Sequence, residues 1–452
     1  MSSFFSLLVA FALLVCGVAC GDDTSAGTDA GGDGDGDGDG DGDGDGDATP
    51  IVERESDGTY TCSVGEPLRR YEQTVWSYTG TDIVALTGGT TWLVRVEASS
   101  PEPFNPEPYE FIASNISDTG ELLSATRIPV GNIDLLRASR AVALSDGSLG
   151  VFWTEWIDTA VLRFAAIDPE GVITIEPKTV ATDNGLAETG GLRVAVSETG
   201  KVAVLWNDMS NVVHVAVTDE TGVEAAPSEL SAKAMPTPRI LAASDGQFVV
   251  LWRSFDPDFA DPSNVFFSQL DAVGNEAGDA VQLTDALGMP SGFFGGTEIA
   301  IQALADGYLV AWSEGEIGDF ETNTGAYSVV RVQRVSTDGE PEGDSVLIDA
   351  QAADVDQIEP TFVQWGDAIG LLWGRGTHIY ICGGCVPDYS VSLVLIDPDT
   401  LSPRSNVVTV SPMQGGLLNR SHVLSGPSDL LMAVQIQFHT NFEPAFAAFH
   451  CE

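Results

Sequence analysis

The chain has 452 residues and a formal net charge of −48, from 19 lysines and arginines against 67 aspartates and glutamates. Nucleic acids and anionic membrane surfaces require a basic footprint on their protein partners, so this balance excludes both as ligands of the folded chain. By length alone the chain could hold about three domains, although all-β repeat folds often exceed that size as single units.

Residues 1–20 have the features of an export signal, because residues 4–19 are apolar, too short for a spanning helix, and end in small residues. The run stops at Gly17-Val18-Ala19-Cys20, which resembles the lipobox of bacterial lipoproteins. Gly17 replaces the usual leucine, and the residues before the apolar run include no lysine or arginine. The resemblance implies lipidation of Cys20 and anchoring in the outer membrane, facing the periplasm or the cell surface. Ordinary secretion with cleavage nearby and an uncleaved anchor are the alternatives.

Residues 21–57 form an acidic segment that contains an alternating Gly-Asp tract from Asp33 to Asp47. The segment has almost nothing apolar to bury and its aspartates repel one another, so we expect a disordered, extended tether. The tract matches the first positions of an EF-hand loop. No register places a glutamate at position twelve, however, and the bidentate calcium ligand is therefore missing.

A short element that ends in tryptophan recurs through residues 58–452, with its clearest copy at residues 145–153. The tryptophans of the copies are 46 to 61 residues apart, and they are Trp153, Trp206, Trp252, Trp312 and Trp373. A hydrophobic-Asp-x-x-Gly turn, as at residues 167–171, recurs in the same unit. Short apolar runs between Gly, Asp and Pro turns predict antiparallel strands, and four strands per unit predict a propeller blade. We expect the tryptophans to pack between blades rather than stack on sugars.

Six complete units fit between residues 71 and 416, and residues 417–452 supply only three further candidate strands. The missing outer strand is available at residues 59–64. We therefore predict an all-β, seven-bladed β-propeller of four-stranded antiparallel blades, in which the N-terminal strand completes the last blade and removes the open edge. The repeated elements resemble those of bacterial secreted repeat-type propeller lipoproteins, and this resemblance implies an architecture and no activity.

Four cysteines lie outside the export signal, namely Cys62, Cys382, Cys385 and Cys451, and they permit three pairings. The blade arrangement favours Cys62 with Cys451, because both lie in the unit that closes the ring, and it leaves Cys382 with Cys385. A redox role for this C-x-x-C and a partial zinc site with His378 are the alternatives. Two thiolates and one histidine fall short of the four ligands of zinc.

Long connections are confined to one face of the predicted blades, at residues 97–109, 254–264, 289–296, 314–327 and 375–389. Insertions confined to one face are typical of a binding face. The favoured hypothesis is a monomeric, non-catalytic surface lipoprotein whose long-loop face binds a protein, a glycan or an anionic small ligand. The alternative is a hydrolase or lyase that acts on a polysaccharide or lactone in the central channel. None of the five histidines forms a recognisable pair with a serine or cysteine nucleophile.

No cofactor is expected. Weak calcium binding would fall in the acidic loops at residues 256–261 and 319–323, where solvated charge is the simpler interpretation.

Arg140, Arg193 and Arg239 each lie thirteen residues before a repeated tryptophan, in one slot of three consecutive blades, and Asp82 takes that slot in the first blade. The slot lies where the innermost strand begins, so we expect these side chains around the mouth of the central channel, with Arg420 as a fourth candidate. Converging guanidiniums hold carboxylate, sulfate or phosphate by bidentate hydrogen bonds, which predicts an anion site.

The alternative is that each arginine pairs with an acid of a neighbouring blade, since Asp82, Glu298 and Glu359 lie close to equivalent positions. Arg193 also precedes a turn that is one residue longer, and a shift of one residue would reverse the face of its strand.

Overall fold

The structure is a computed structural model, and it describes residues 51–65, 69–70, 82–86, 89–98, 109–117, 121–130, 138–156, 159–182, 186, 192–208, 210–233, 238–243, 246–254, 264–285, 299–314, 329–349, 356–376, 389–413, 416–424, 429–438 and 441–452. The predicted export signal with Cys20, and the predicted tether as far as residue 50, lie outside the described residues.

Two short strands open the described chain, β1 (Cys62–Val64) and β2 (Arg69–Arg70), and six sheets of four strands follow. Sheet 1 contains β3 (Asp82–Ala85), β4 (Thr91–Ala98), β5 (Tyr109–Ile116) and β6 (Leu122–Pro129). Sheet 2 contains β7 (Ser139–Ala143), β8 (Leu149–Trp156), β9 (Ala160–Ile167) and β10 (Ile173–Thr182). Sheet 3 contains β11 (Arg193–Val196), β12 (Lys201–Asn207), β13 (Val212–Asp219) and β14 (Ser228–Lys233).

Sheet 4 contains β15 (Arg239–Ala242), β16 (Phe248–Arg253), β17 (Val265–Leu270) and β18 (Val281–Gln282). Sheet 5 contains β19 (Ile299–Ala303), β20 (Gly307–Glu314), β21 (Val329–Ser336) and β22 (Pro341–Leu347). Sheet 6 contains β23 (Asp356–Trp365), β24 (Ala368–Gly376), β25 (Tyr389–Ile396) and β26 (Val408–Met413). The last strands are β27 (Gly416–Leu424), β28 (Asp429–Phe438) and β29 (Asn441–Cys451). Among the described residues the only helix is a single 3-10 turn at Ile51–Glu53, and none is long and apolar enough to cross a membrane.

Each strand of a sheet pairs antiparallel with the next strand of the chain, as the apolar runs and tight turns of the sequence predict. The first strands of successive sheets contact one another, from β3 through β7, β11, β15, β19 and β23 to β27, and β27 contacts β3. First strands that meet in a cycle around one axis, with the later strands further out, are the architecture of a β-propeller. The fold is therefore all-β, a β-propeller of four-stranded antiparallel blades.

The last three strands form a composite sheet with both N-terminal strands, in the order β1-β29-β28-β27, with β2 also on β29. The prediction of seven four-stranded blades is wrong, because only six sheets have four strands and the composite sheet has five. The cause is local: five residue steps from Val64 to Arg69 lie opposite three steps from Phe449 to Phe446. A single ladder cannot span this mismatch, so the N-terminal edge is split into two short strands.

The hydrophobic core lies between neighbouring sheets rather than on the axis. Each of five apolar clusters draws its residues mainly from two adjacent sheets, and each contains one of the repeated tryptophans. These tryptophans are at most 4% exposed, which confirms the prediction that they pack between blades; they are Trp153, Trp206, Trp252, Trp312 and Trp373.

Residues 51–57 contact the sheets, although the sequence assigned them to the tether. Ile51 is buried in the core between sheets 5 and 6, and the amide of Val52 donates to the carbonyl of Ile348 at 2.8 Å. Arg54 Nη1 donates to the carbonyl of Leu401 at 3.3 Å.

Candidate functional site

The two ends of the blades differ in the length of their connections. The turn end carries the hairpins between first and second strands, such as residues 144–148 and 366–367, and the outer turns between third and fourth strands. The loop end carries the connections between second and third strands and between sheets, such as residues 254–264, 315–328 and 377–388. The loop end therefore offers a ligand longer connecting segments than the turn end does.

The strand register places Asp82, Arg140, Arg193 and Arg239 in equivalent slots of four consecutive sheets. Each lies on a first strand, three residues before its last paired residue, and their partners on the second strands are Val94, Phe152, Leu205 and Leu251. The prediction of a longer turn after Arg193 is wrong, because residues 197–201 separate the last paired residues there just as residues 144–148 do in sheet 2. Arg193 therefore keeps the register of its neighbours. We call Arg140, Arg193 and Arg239 the arginine cluster.

The same count gives Ala300 in sheet 5 and Ser421 in the composite sheet. The ladder of sheet 6 extends one residue further, and there Thr361 takes the slot, because its partner Leu372 directly precedes the repeated Trp373, as Phe152 precedes Trp153. Arg420 pairs with Val434, one residue away from the slot. Its side chain lies outside the described part of the structure, so its membership of the cluster stays a prediction.

Arg140 braces three neighbouring sheets. Its Nη1 donates to Asp82 Oδ1 of sheet 1 at 3.0 Å, and its Nε donates to the carbonyl of Leu192, at the start of sheet 3, at 3.0 Å. The second oxygen of Asp82 accepts the amide of Ala141 at 2.8 Å. The ion pair foreseen as an alternative is therefore present between Arg140 and Asp82.

Arg239 makes an equivalent brace, because its Nε donates to the carbonyl of Ile299, at the start of sheet 5, at 3.0 Å. Glu298 and the side chain of Glu359 lie outside the described part.

Arg193 differs from both neighbours. Its Nη1 donates to the carbonyl of Leu192, the residue before it, at 2.8 Å, and its Nε is buried without a hydrogen-bond partner in the described structure. Burial lowers the pKa of Arg193 well below its usual range, and the positive charges of Arg239 and Arg140 lower it further, against the opposing charge of Asp82. The cluster is thus a partly buried concentration of positive charge in an acidic chain.

At the turn end, charged groups are used within the protein. Asp168 Oδ1 accepts the amide of Val172 at 2.7 Å, and Asp271 Oδ1 accepts the amides of Val273 and Asn275 at 3.0 and 2.9 Å. These bonds close the outer turns. The pKa of Asp271 is lowered, chiefly by the hydrogen bond from the amide of Asn275.

Two arginines join separate turns, Arg334 between sheets 5 and 6 and Arg404 within sheet 6, and the sequence analysis did not single them out. Arg334 contacts Asp306 and Asp399 at 3.1 and 2.8 Å, and Arg404 contacts Asp367 at 2.9 Å. Because their acids come from different turns, spacing along one repeat carries no signal for them.

A second missed feature could have been found from the repeat. Glu155 and Glu314 each lie two residues after a repeated tryptophan, and they pair with Arg163 and Arg331 at 2.8 and 2.9 Å. The recurring Trp-x-Glu is the signal for these pairs.

The predicted disulfide Cys62–Cys451 is confirmed, and its Cα atoms are 4.0 Å apart. Cys382, Cys385 and His378 lie outside the described residues, as do the acidic loops at residues 256–261 and 319–323. The described residues contain no group of three or more metal-ligating side chains.

The sheets and their cyclic contacts define the class of the protein as an all-β β-propeller. No family model and no curated protein matches its sequence. Solved structures match its shape. They include a protein of unknown function from Dyadobacter fermentans, at 6% identity over 70% of this chain and 95% of that chain, with a TM-score of 0.41.

The β-propeller domain of the Trilobed protease from Pyrococcus furiosus matches at 10% identity over 81% of this chain and 93% of that chain, with a TM-score of 0.44. An α-L-arabinofuranosidase from Fusarium graminearum, in complex with an iminosugar inhibitor, matches at 12% identity over 71% and 95%, with a TM-score of 0.40. These likenesses concern the fold alone.

Proposed function

We propose that the chain is a non-catalytic binding module, held in the bacterial cell envelope as a lipoprotein, whose loop end takes a protein, a glycan or an anionic small ligand. Cys20 would carry the lipid, and the acidic Gly-Asp tract would space the propeller from the membrane. The membrane would be contacted only through this anchor, because the net charge of −48 disfavours binding of the folded part to anionic lipid.

The contrast between the two ends carries this proposal. At the turn end the acids and arginines described above are bonded to one another or to turn amides. At the loop end the connections are long, and the buried Nε of Arg193 has no hydrogen-bond partner in the described structure. A buried donor without an internal partner favours the loop end as the ligand-binding face.

We also propose that the composite sheet serves as the seventh blade, with the N-terminal strands at its outer edge. The contact between β27 and β3 and the pairing of β1 with β29 support this closure. A closed ring would hold the arginine cluster in one geometry, which lowers the entropy cost of ligand binding.

A glycan array tests the proposal, with the purified full chain applied with and without calcium. Retained glycans are then incubated with the protein and assayed for new reducing ends and for unsaturated uronate products. We expect retention of anionic glycans and no products. Accumulating products would show that the chain is a hydrolase or lyase, and would overturn the non-catalytic function.

The lipid anchor is tested separately by fatty-acid labelling. We expect the label to be lost in Cys20→Ser.

A further inference from the structure

The arginine cluster has a composition that bracing between sheets does not require. The equivalent slots of the other sheets hold Ala300, Thr361 and Ser421, and these sheets meet their neighbours without a guanidinium in that slot. The arginines in this slot of three consecutive sheets are therefore not required for contact between first strands.

The charges around Arg193 favour an anion. The slots on both sides of Arg193 hold arginines, and both lower its pKa. Asp82 already accepts Arg140 Nη1 on one oxygen and the amide of Ala141 on the other. A doubly charged oxyanion beside Arg193 would be attracted by the guanidiniums of all three arginines.

Arg193 is the member of the cluster whose Nε does not bond to the next sheet. The Nε atoms of Arg140 and Arg239 donate to the carbonyls of Leu192 and Ile299, at the start of the next sheet. The Nε of Arg193 makes no such bond to a described residue, although it is buried. A buried guanidinium donor without a partner is costly, and an oxyanion is the acceptor that fits its planar fork.

We propose that the arginine cluster binds one doubly charged oxyanion, with Arg193 as its principal ligand and Arg140 and Arg239 as flanking charges. The chemistry is that of inorganic sulfate or phosphate, or of a phosphate monoester on a larger molecule. This inference rests on the proposed function, since it names the chemistry that the loop end recognises.

Thermal denaturation of the full chain tests the site, with sulfate, phosphate, a hexose phosphate or acetate added at constant ionic strength. Saturation matters because sulfate and phosphate also stabilise proteins without binding, and that effect keeps growing with concentration whereas binding to a site saturates. We expect a saturable rise in Tm with the dianions by mass action, and a smaller rise with acetate. A larger rise with the hexose phosphate than with inorganic phosphate would identify the monoester as the source, and the reverse would identify the free ion.

Arg193→Gln separates a binding group from a brace. We expect the apparent Kd for the dianion to increase by about tenfold to a hundredfold, as for the loss of a charged hydrogen-bonding group. We also expect the ligand-free Tm to stay the same or rise, because the substitution removes a buried Nε donor that has no hydrogen-bond partner in the described structure. Arg331→Gln is the matched control. It removes the same charge from an arginine that pairs with Glu314 outside the cluster, and it should keep the full response to dianions.

An unchanged Tm of the wild type with every dianion would overturn the proposal, and so would an equal response of Arg193→Gln and the wild type. A lower ligand-free Tm of Arg193→Gln with the response retained would make Arg193 a brace. If Arg193→Gln keeps both the dianion response and the glycans that the wild type retains, the oxyanion site fails while the proposed function stands.

Discussion

The guanidinium of Arg140 has acceptors on two neighbouring sheets, whereas that of Arg193, one sheet further on, has one carbonyl acceptor and a buried Nε without a partner among the described residues. Asp82 accounts for part of this difference, because it lies on the sheet before Arg140, while both slots beside Arg193 hold arginines. The same residue type in the same slot thus braces neighbouring sheets at Arg140 and leaves a buried donor without a described partner at Arg193.

Replacing Arg140 with glutamine should lower the free energy of unfolding by about 1.5–3 kcal/mol, the usual loss for hydrogen bonds to a charged group. The reason is that the largely buried Asp82 carboxylate keeps only the amide of Ala141. Arg127→Gln is the control, because Arg127 pairs with Glu110 with 62% of its own side chain exposed, and such pairs contribute about 0–1 kcal/mol. Urea denaturation measures both, and equal losses would contradict the bracing role.

The slot of the three arginines could be predicted from the thirteen-residue spacing to the tryptophans. Which of the three arginines braces the next sheet could not be predicted, because the acceptors of Arg140 and Arg239 are backbone carbonyls of that sheet. The positions of these carbonyls depend on how neighbouring sheets are staggered, which the sequence does not encode directly.

Outer turns explain why the Asp-x-x-Gly element recurs. The aspartate closes the turn, and the glycine has positive φ and lies against the preceding sheet. A Cβ on Gly222 would meet Phe164 Cδ1 at 2.5 Å. In the outer turn of sheet 5 Ser336 takes the position of the aspartate, and a Cβ on Gly339 would meet Phe267 Cδ1 at 2.5 Å. Each outer turn is therefore a docking element between blades as well as a hairpin.

Gly222→Ala should therefore destabilise the protein by about 1–3 kcal/mol more than Gly343→Ala, because it adds overpacking to the strain of positive φ. The two glycines have φ of 67° and 76°, and nothing lies within 4 Å of a Cβ on Gly343. The difference between the two midpoints of chemical denaturation measures the docking contact. Equal midpoints would mean that the outer turn does not pack tightly against the preceding sheet.

Turn carboxylates also set the acid sensitivity of the blades. Hydrogen bonds lower the folded-state pKa below 3.8 for Asp219, first from the hydroxyl of Thr221, and for Asp367, first from Arg404. The unfolded chain then binds more protons than the folded one, so these groups stabilise the fold above the ordinary aspartate pKa. This stability is lost as the pH falls through the lowered values.

We expect the free energy of unfolding to fall as the pH drops below about 4, and to fall less steeply in Asp367→Asn. The pH dependence of urea denaturation measures both slopes. Identical slopes in the variant and the wild type would show that Asp367 has no lowered pKa in the folded protein.

The ring as a whole depends on joining the two ends of the chain. Cys62 and Cys451 lie opposite each other where β1 pairs with β29, and they are bonded across 389 residues. The blade repeat predicted this bond, because the last unit lacked one strand and the N terminus could supply it. The split of that edge into β1 and β2 could not be predicted, since the repeat gives no register for a segment that occurs once.

Substituting Cys62 and Cys451 together by serine should lower the free energy of unfolding by about 2–5 kcal/mol, since the disulfide closes a very long loop. The double substitution of Cys382 and Cys385 by serine is the control, because a bond between them would close a loop of only a few residues. An equal or larger loss in the control would contradict the role of the long-range bond in closing the ring.

Diffraction from crystals soaked in selenate tests the central claim most directly, because selenate reproduces the charge and shape of sulfate and its anomalous signal locates the ion. The expected result is one selenate within hydrogen-bond distance of the Arg193 guanidinium, flanked by Arg140 and Arg239, and absent from crystals of Arg193→Gln. Selenate found only at other arginines, such as Arg334 or Arg404 at the turn end, would contradict an oxyanion site at the arginine cluster.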